Sequence, residues 1–178
     1  MKYFINGLAL FFLISLTIPA HAETKVYFSP KGGCQDAVIS EISKAHRSID
    51  VAMYEFTSRE IAMALVKAKE RDVKVRLSLD PGQIKDHFSK GRYLLFKGLN
   101  VKFHMGPGIM HDKFAVIDDR VVMTGSYNWT GSADKKNAEN LLIINDKDTA
   151  RQYSKEFKHL WSQSGEGQLK EVKPLTEK

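Results

Sequence analysis

The sequence predicts an α/β fold, with a mixed, mostly parallel β-sheet and helices on both of its faces. Strand-like and helix-like segments alternate through the first half of the chain, which is typical of parallel strands joined by helices. Residues 110–139 then read as a strand, a tight reversal and a second strand, which adds an antiparallel pair to that sheet. Residues 23–178 have the size of one domain that can build its own core.

The first half divides into four strands and three helical segments. Apolar residues at helical spacing, such as Ile61, Leu65 and Ala68, mark the helices, and short apolar or alternating runs mark the strands. The strands are predicted at residues 24–29, 49–56, 73–79 and 101–105. The helices are predicted at residues 34–47, 58–71 and 83–98, the last interrupted near Gly91.

The second half ends the domain with one more strand and one more helix. Residues 129–138 are polar and predict a loop or a short helix, and residues 139–145 predict the last strand. Asp148 or Thr149 is expected to cap the final helix, with Gln152 completing a capping box. That helix has one apolar face, formed by Tyr153, Phe157, Leu160 and Trp161. Residues 166–178 predict a loose tail, and no second domain follows from the pattern.

Residues 1–22 predict a signal peptide. Lys2 gives a positive start, residues 8–18 are apolar, and Ala20 and Ala22 form a small-x-small cleavage site. An uncleaved anchor is the alternative, but the apolar run is short for a membrane span. Cleavage after Ala22 would lower the formal net charge from +6 to +5 and leave a basic periplasmic or secreted protein with no membrane segment.

Cys34 is the only cysteine in the chain, so it has no internal disulfide partner. In an oxidising compartment it is either a buried thiol or an intermolecular bridge. Because it opens an apolar helical face, the buried thiol is the preferred interpretation.

The predicted hairpin gathers polar groups at one end of the sheet. His111 and Lys113 share one face of its first strand, because side chains alternate along a strand. Asp118 begins the turn. If the chain reverses about Asp119, the numbers of two residues that face each other across the hairpin add up to about 238. A slip of the register by one residue is the alternative. Gly125 then faces Lys113. The second strand therefore brings three residues back to the end of the sheet that carries His111 and Lys113, namely Gly125, Ser126 and Asn128.

These side chains suit an anion. Lys113 offers a point charge to a phosphate oxygen, and Ser126 and Asn128 offer neutral donors. Gly125 would let a ligand approach the backbone closely. His111 can act as a nucleophile or move a proton near neutral pH. No acidic cluster lies beside these residues in the sequence, so we expect a site that works without a metal or another cofactor.

The spacing of His111, Lys113, Asp118, Gly125, Ser126 and Asn128 resembles the HKD signature of the phospholipase D superfamily, and within it the short, single-motif bacterial nucleases. A core strand with a capped end is the alternative interpretation. The resemblance implies a phospholipase D-like fold and a catalytic set of His111, Lys113, Asn128 and Glu139, with Asp118 as a hydrogen-bonding partner rather than a reacting group. Glu139, which begins a strand, would reach the imidazole of His111 and fix its tautomer; otherwise it is an exposed strand-end glutamate.

The reaction needs a nucleophile on one side of the phosphorus and a proton donor on the other, yet the chain carries one motif. Longer members of the family carry two, so we expect two copies to pair across a twofold axis and share one site. One His111 would form a phosphohistidine, and its twin would protonate the leaving group. The interface would include residues 106–110 and the segment after Asn128. Tyr127 and Trp129 are either interface aromatics or core residues.

Three substrate classes remain open from the sequence. A nonspecific endonuclease acting on DNA, with RNA as a further candidate substrate, fits the basic charge. A phospholipase would need an apolar site or an interfacial helix, which the mature sequence does not display, although a dimer cleft could supply one. A non-catalytic nucleic-acid-binding protein would not need His111, Lys113 and Asn128 together. Lys135 and Lys136 either touch nucleic acid or belong to a solvated loop.

Overall fold

The computed structural model describes residues 22–166, so the predicted leader except Ala22 and the predicted tail except Glu166 lie outside the described residues. Its strands are β1 (Glu23–Ser29), β2 (Ser48–Met53), β3 (Lys74–Leu79), β4 (Asn100–His104), β5 (Lys113–Ile117), β6 (Val121–Gly125), β7 (Glu139–Asn145) and β8 (Ser164–Gly165). Its helices are α1 (Cys34–Ser43), α2 (Arg59–Glu70), α3 (Gly91–Phe96), α4 (Gly131–Lys135) and α5 (Lys147–Ser162), with a 3₁₀ helix at Pro81–Ile84.

Within residues 22–166 all eight strands form one sheet, in the order β1-β7-β6-β5-β2-β3-β4-β8. The predicted α/β class is confirmed, but the prediction of a mostly parallel sheet is wrong. Only the pairs β2–β3 and β3–β4 are parallel, and the other five pairs are antiparallel. The reason is that β1 does not join β2 but pairs with β7 at the far edge, while β5, β6 and β7 follow one another as an antiparallel meander, with α4 in the connection between β6 and β7.

Helices cover both faces of the sheet, as predicted. Side chains of β5 show the two sides: Ala115 and Ile117 join the core under α1, α2 and α3, while Phe114 and Val116 join the core under α5. The predicted apolar face of α5 is confirmed, since Phe157 and Leu160 are buried and two partly buried aromatics pack beside them, namely Tyr153 and Trp161. The strand β5 is therefore interior to the sheet and covered on both sides.

Two helix boundaries differ from the predictions, and local hydrogen bonds accompany each change. The first helix stops at Ser43 rather than at residue 47, and the guanidinium of Arg71 donates to carbonyl groups beyond its last turn, those of Ile42, Ser43 and Ala45. The final helix is capped by Asp146, whose carboxylate accepts from the backbone N–H of Thr149 at 2.7 Å, and not by the predicted residues 148 or 149.

The predicted helix at residues 83–98 is two short helices separated by a loop. The Asp80 carboxylate accepts from Gly82 N at 2.8 Å and starts the 3₁₀ turn, and the Asp86 carboxylate accepts from Phe88 N at 2.9 Å in the loop that follows. Such local side-chain bonds compete with helix formation. Gly91 begins α3 instead of interrupting a longer helix.

Several single-residue predictions are settled by burial. Cys34 is fully buried, and burial raises the pKa of its thiol, so the buried-thiol interpretation is confirmed. Tyr127 and Trp129 are also buried, each with 2% of its surface exposed, and are core residues rather than exposed interface aromatics. No helix among residues 22–166 is both long and apolar enough to span a bilayer.

Candidate active site

The hairpin of β5 and β6 has the register expected from the sequence. Phe114 faces Thr124, so that facing residue numbers sum to 238 along the ladder. Asp118 and Asp119 both have a φ of 53°, and the N–H of Arg120 donates to the carbonyl of Ile117 at 3.0 Å. A two-residue turn with positive φ at both positions matches the twist of the strands it joins, and Asp tolerates this conformation.

This register brings the polar residues into one open cavity of about 580 Å³ at the end of the sheet. The predicted residues His111, Lys113 and Glu139 lie at the amino ends of two strands, and the returning segment after β6 supplies the others. The lining residues are His111, Asp112, Lys113, Thr124, Gly125, Ser126, Asn128 and Glu139. Asp112 and Thr124 were not among the residues predicted for the site, and the predicted residue Asp118 does not line this cavity.

His111 and Lys113 form a close pair. The Nζ atom of Lys113 lies 3.3 Å from Nδ1 of His111 and donates to the His111 carbonyl oxygen at 2.7 Å. Burial lowers the pKa of the Lys113 ammonium, and the nearby carboxylates of Asp112, Glu139 and Glu55 partly oppose that effect. A partly buried cation beside an exposed imidazole makes a site suited to an anionic ligand.

Tyr54 lies beside this pair and was not selected from the sequence. Its ring centroid is 4.5 Å from that of His111, with an angle of 56° between the ring planes. Lys113 Nζ lies 5.1 Å from the centre of the same ring. In the sequence, Tyr54 is an amphipathic aromatic residue at the end of an apolar strand. Its closeness to His111 and Lys113 follows only from the pairing of β2 with β5.

Glu139 lines the cavity but has other partners than the one expected. Its Oε2 atom accepts from the hydroxyl of Ser126 at 2.6 Å, and its Oε1 atom accepts from the side-chain amide of Asn137 at 3.1 Å. Neither of these hydrogen bonds goes to His111. Asn140 completes the network, because its Oδ1 atom accepts from Ser126 N at 2.9 Å. Ser126 is thus held rigidly between the ends of β6 and β7.

Gly125 is required by strand packing. Its φ is 148°, and a Cβ atom built there would lie 2.2 Å from the backbone carbonyl oxygen of Asn140 on the neighbouring strand. This glycine was predicted to allow a ligand to approach the backbone, whereas the closest neighbour of a side chain at this position would be the backbone of β7.

Asn128 is positioned by an extension of β2. The next residue, Trp129, bridges to Phe56 in parallel, and its N–H donates to the Glu55 carbonyl at 3.1 Å. The buried Oδ1 atom of Asn128 has no hydrogen-bond partner among the described residues. That oxygen is an acceptor, so the part of Asn128 that could bind an anion in the cavity is its side-chain NH₂ group, which donates.

Asp118 lies at the opposite end of β5, where it joins the hairpin turn to the loop before β2. Its carboxylate accepts from three backbone N–H groups, those of His46 at 2.9 Å, Arg47 at 2.7 Å and Ser48 at 2.9 Å. Burial acts to raise the pKa of Asp118, but the three backbone hydrogen bonds outweigh it and lower that pKa. These contacts fit the hydrogen-bonding role that the family resemblance implied.

We expect Asp118→Asn to lower the free energy of unfolding by about 1–2 kcal/mol at pH 7, because it weakens charged hydrogen bonds at a partly exposed site. The folded-state pKa lies below the unfolded value of about 3.9, so this stabilisation is present above about pH 4 and is lost as pH falls through the folded-state pKa. Urea unfolding of both proteins from neutral to acid pH measures the difference.

Asp72→Asn is the matched control for this substitution. Asp72 is exposed and also has a positive φ, 64°, but no hydrogen bond to its carboxylate is found among the described residues. Its replacement should change the free energy of unfolding by no more than about 0.5 kcal/mol. Equal losses in the two variants, or an Asp118→Asn loss independent of pH, would contradict the role assigned to the charge.

Among residues 22–166, no group of three or more His, Cys, Asp and Glu side chains could hold a metal ion. The other described histidines lie either on the surface or in the core. His46, His87 and His159 are exposed, and His104 is buried in β4. His111 is the one described histidine that lines the cavity.

Comparisons with known proteins agree with this geometry. The sequence profile of the family described as "Cardiolipin synthase, PLD-like domain" matches residues 38–161. A phospholipase D of Rickettsia conorii is 39% identical over 134 residues, which are 75% of this chain and 67% of that protein. A mitochondrial cardiolipin hydrolase of Xenopus laevis is 37% identical over 126 residues, 71% of this chain and 60% of that protein. The crystal structure of a phospholipase D family member, Nuc from Salmonella typhimurium, has a TM-score of 0.78 and 32% identity, and the match covers 82% of this chain and 97% of that one.

The chain belongs to the phospholipase D superfamily. Its fold is the mixed α/β fold of that superfamily, as the similarity to Nuc shows. Within that class it is a phosphodiesterase, a hydrolase of ester bonds. The cavity that holds His111, Lys113 and Asn128 is where the chemistry of this class is expected.

Proposed function

We propose that the protein is a nonspecific endonuclease that cleaves DNA, with RNA as a second candidate substrate, through a phosphohistidine intermediate without a metal ion. The observation that carries the proposal is the juxtaposition of the His111 imidazole, the Lys113 ammonium and the Asn128 amide in one open cavity. A nucleophile beside a cation and a neutral amide is what displacement at a phosphodiester requires.

In the proposed reaction a ring nitrogen of His111 attacks phosphorus. The N–P bond forms as the bond from phosphorus to the leaving oxygen breaks, and a second His111 from a partner subunit gives that oxygen its proton. The same partner histidine then takes a proton from water, whose oxygen displaces the first histidine and releases the phosphomonoester. Lys113 and Asn128 hold the nonbridging oxygens while charge shifts onto them. For this, Lys113 exchanges the carbonyl of His111 for a phosphate oxygen.

The shared site is supported by the surroundings of the cavity. Residues 105–110 connect β4 to the segment that bears His111, and they expose two apolar side chains, Met105 at 63% and Ile109 at 65%. Exposed apolar residues beside a polar cavity suit burial against a second copy of the chain. This loop includes the residues predicted for the interface from the sequence. We therefore propose a homodimer with a composite active site.

Nucleic acid is the preferred substrate class because the chain has a formal net charge of +6 and the cavity is open and polar. The match to Nuc over 97% of its length also favours the short nucleases that the motif resembles. A phospholipid is the second candidate, since Phe88, on the loop before α3, is 76% exposed and could contact acyl chains. The relatives named phospholipase D and cardiolipin hydrolase support that alternative.

The deciding experiment incubates the purified protein with plasmid DNA, with RNA and with cardiolipin-containing vesicles, each in excess EDTA. We expect DNA cleavage at an undiminished rate after chelation, because imidazole, ammonium and amide groups supply every step of the proposed reaction. Activity that EDTA abolishes and a divalent ion restores would contradict the metal-independent mechanism. Hydrolysis of cardiolipin in the vesicles without cleavage of either nucleic acid would show that the substrate is a phospholipid instead.

The compartment is a further part of the proposal. The leader at residues 1–22 supports export and cleavage after Ala22, which would leave the mature enzyme in the periplasm or outside the cell. Amino-terminal sequencing of the secreted or periplasmic protein tests this, since the first residue should be Glu23.

A further inference from the structure

We propose that Tyr54 is a positioning residue of the active site, whose ring aligns the His111 imidazole and supports the Lys113 ammonium. This inference rests on the proposed function, because it assigns a role within the same phosphodiester displacement. Tyr54 does not line the cavity, so it acts through His111 and Lys113 and does not touch the substrate.

The backbone places Tyr54 next to the reacting pair by strand pairing. Met53, the last residue of β2, faces Lys113, the first residue of β5. The ladder continues for one more hydrogen bond, in which Tyr54 N donates to the carbonyl of Asp112 at 3.0 Å. Since residue 112 separates His111 from Lys113, this bond fixes the Tyr54 ring beside both side chains.

One face of the ring limits the motion of the imidazole. The ring centroids of Tyr54 and His111 are 4.5 Å apart at an angle of 56°, which is contact distance for two aromatic rings. His111 is otherwise exposed to solvent and precedes β5, so an unrestrained imidazole would rotate freely about its side-chain bonds. In-line attack on phosphorus requires one orientation, and the Tyr54 ring restricts the alternatives.

The same ring also supports the charge of Lys113. The ammonium Nζ atom lies 5.1 Å from the ring centre, within the range of a cation–π interaction. Burial lowers the pKa of this lysine, so a nearby π face favours its charged form against the cost of desolvation. Tyr54 therefore favours the charged form of Lys113 and holds the ammonium close to His111 until a phosphate oxygen becomes its partner.

A matched pair of substitutions separates the ring from the hydroxyl. Tyr54→Phe keeps the ring and should retain kcat within about twofold of the wild type. Tyr54→Leu removes the ring while keeping an apolar side chain, and should lower kcat by roughly 10–100-fold with little change in KM, since misplacement of a reacting group costs about that much. Bis(p-nitrophenyl) phosphate is the substrate, because its good leaving group needs no proton. The rate of the nitrophenolate burst in the first turnover isolates the attack step and is compared between the variants alongside kcat.

Tyr93→Leu is the control for loss of a tyrosine as such. Tyr93 lies on α3, is also half-buried, and has Lys97 Nζ 5.7 Å from its ring centre, but among the described residues it makes no ring contact with His111 or Lys113. This variant should keep the wild-type kcat. Circular dichroism checks that each protein is folded, and Tyr54→Met replaces Tyr54→Leu under the same criteria if the latter does not fold.

The outcomes distinguish this inference from the proposed function. If the wild type cleaves the aryl diester and Tyr54→Leu is equally fast, the positioning role is wrong while the proposed chemistry stands. A loss in Tyr54→Phe as large as in Tyr54→Leu would assign the effect to the hydroxyl and overturn the role of the ring. If the wild type cleaves neither the aryl diester nor a nucleic acid, the proposed function itself fails.

Discussion

Replacement of His111 by alanine is expected to lower DNA cleavage by roughly 10⁴-fold or more, since it removes both the nucleophile and the proton donor of a shared site. Binding of DNA should persist, because the positive charge of the chain and Lys113 remain. Plasmid nicking measures the rate, and fluorescence anisotropy of a labelled duplex measures binding. An inactive variant that still binds would also exclude a purely binding function for the wild type.

His46→Ala is the control for this experiment. His46 is exposed and lies near the hairpin turn, at the other end of β5, where its backbone N–H and not its imidazole contacts Asp118. Its loss should leave cleavage unchanged. A His111→Ala protein that retains more than about a tenth of the wild-type rate would mean that another group attacks phosphorus, and the phosphohistidine mechanism would then be wrong.

The second large effect is expected in a dimer that carries a single His111. Wild-type and His111→Ala chains with different affinity tags are co-expressed, and the heterodimer is isolated by two successive affinity steps. Its steady-state DNA cleavage should fall roughly 100-fold or more below the wild type, because no second imidazole remains to protonate the leaving oxygen or activate water. A heterodimer of wild-type and His46→Ala chains should keep full activity.

An aryl phosphodiester sharpens this test. Its leaving group departs without a proton, so the one remaining His111 should form a phosphohistidine and release nitrophenolate in a single burst, with no further turnover. The trapped intermediate is measurable by intact-protein mass spectrometry. If the heterodimer instead turns over at half the wild-type rate, each chain carries a complete site, and the shared-site mechanism is refuted.

Local chemistry made part of the fold and site predictable from sequence. A turn at Asp118 and Asp119 tolerates left-handed backbone, and alternation along β5 then determined which residues meet at which end. The cavity therefore contains the predicted residues of the hairpin, and Asp118 lies apart from it. The nearness of Glu139 was also expected, because β7 begins at that residue.

Long-range pairing was the part that the sequence did not reveal. Alternating strands and helices suggested a mostly parallel sheet, but nothing in residues 23–29 indicates that β1 crosses the sheet to pair with β7. Tyr54 was missed for the same reason, since its contacts depend on which strand lies beside β2. The hydrogen bonds of Glu139 to Ser126 and Asn137 depend on side-chain orientations that strand alternation does not determine.

The packing of Gly125 limits how this cavity can change by mutation. Many steric clashes can be relieved by a second-site suppressor that shortens a neighbouring side chain, but here the obstructing atom is the backbone carbonyl oxygen of Asn140, which every residue carries. A library that randomises the cavity wall under selection for a bulkier phosphodiester should therefore recover new residues at Asp112 and Thr124, while position 125 stays glycine in every survivor. Adaptation of this enzyme to other substrates must therefore change the residues around Gly125 and leave Gly125 itself unchanged.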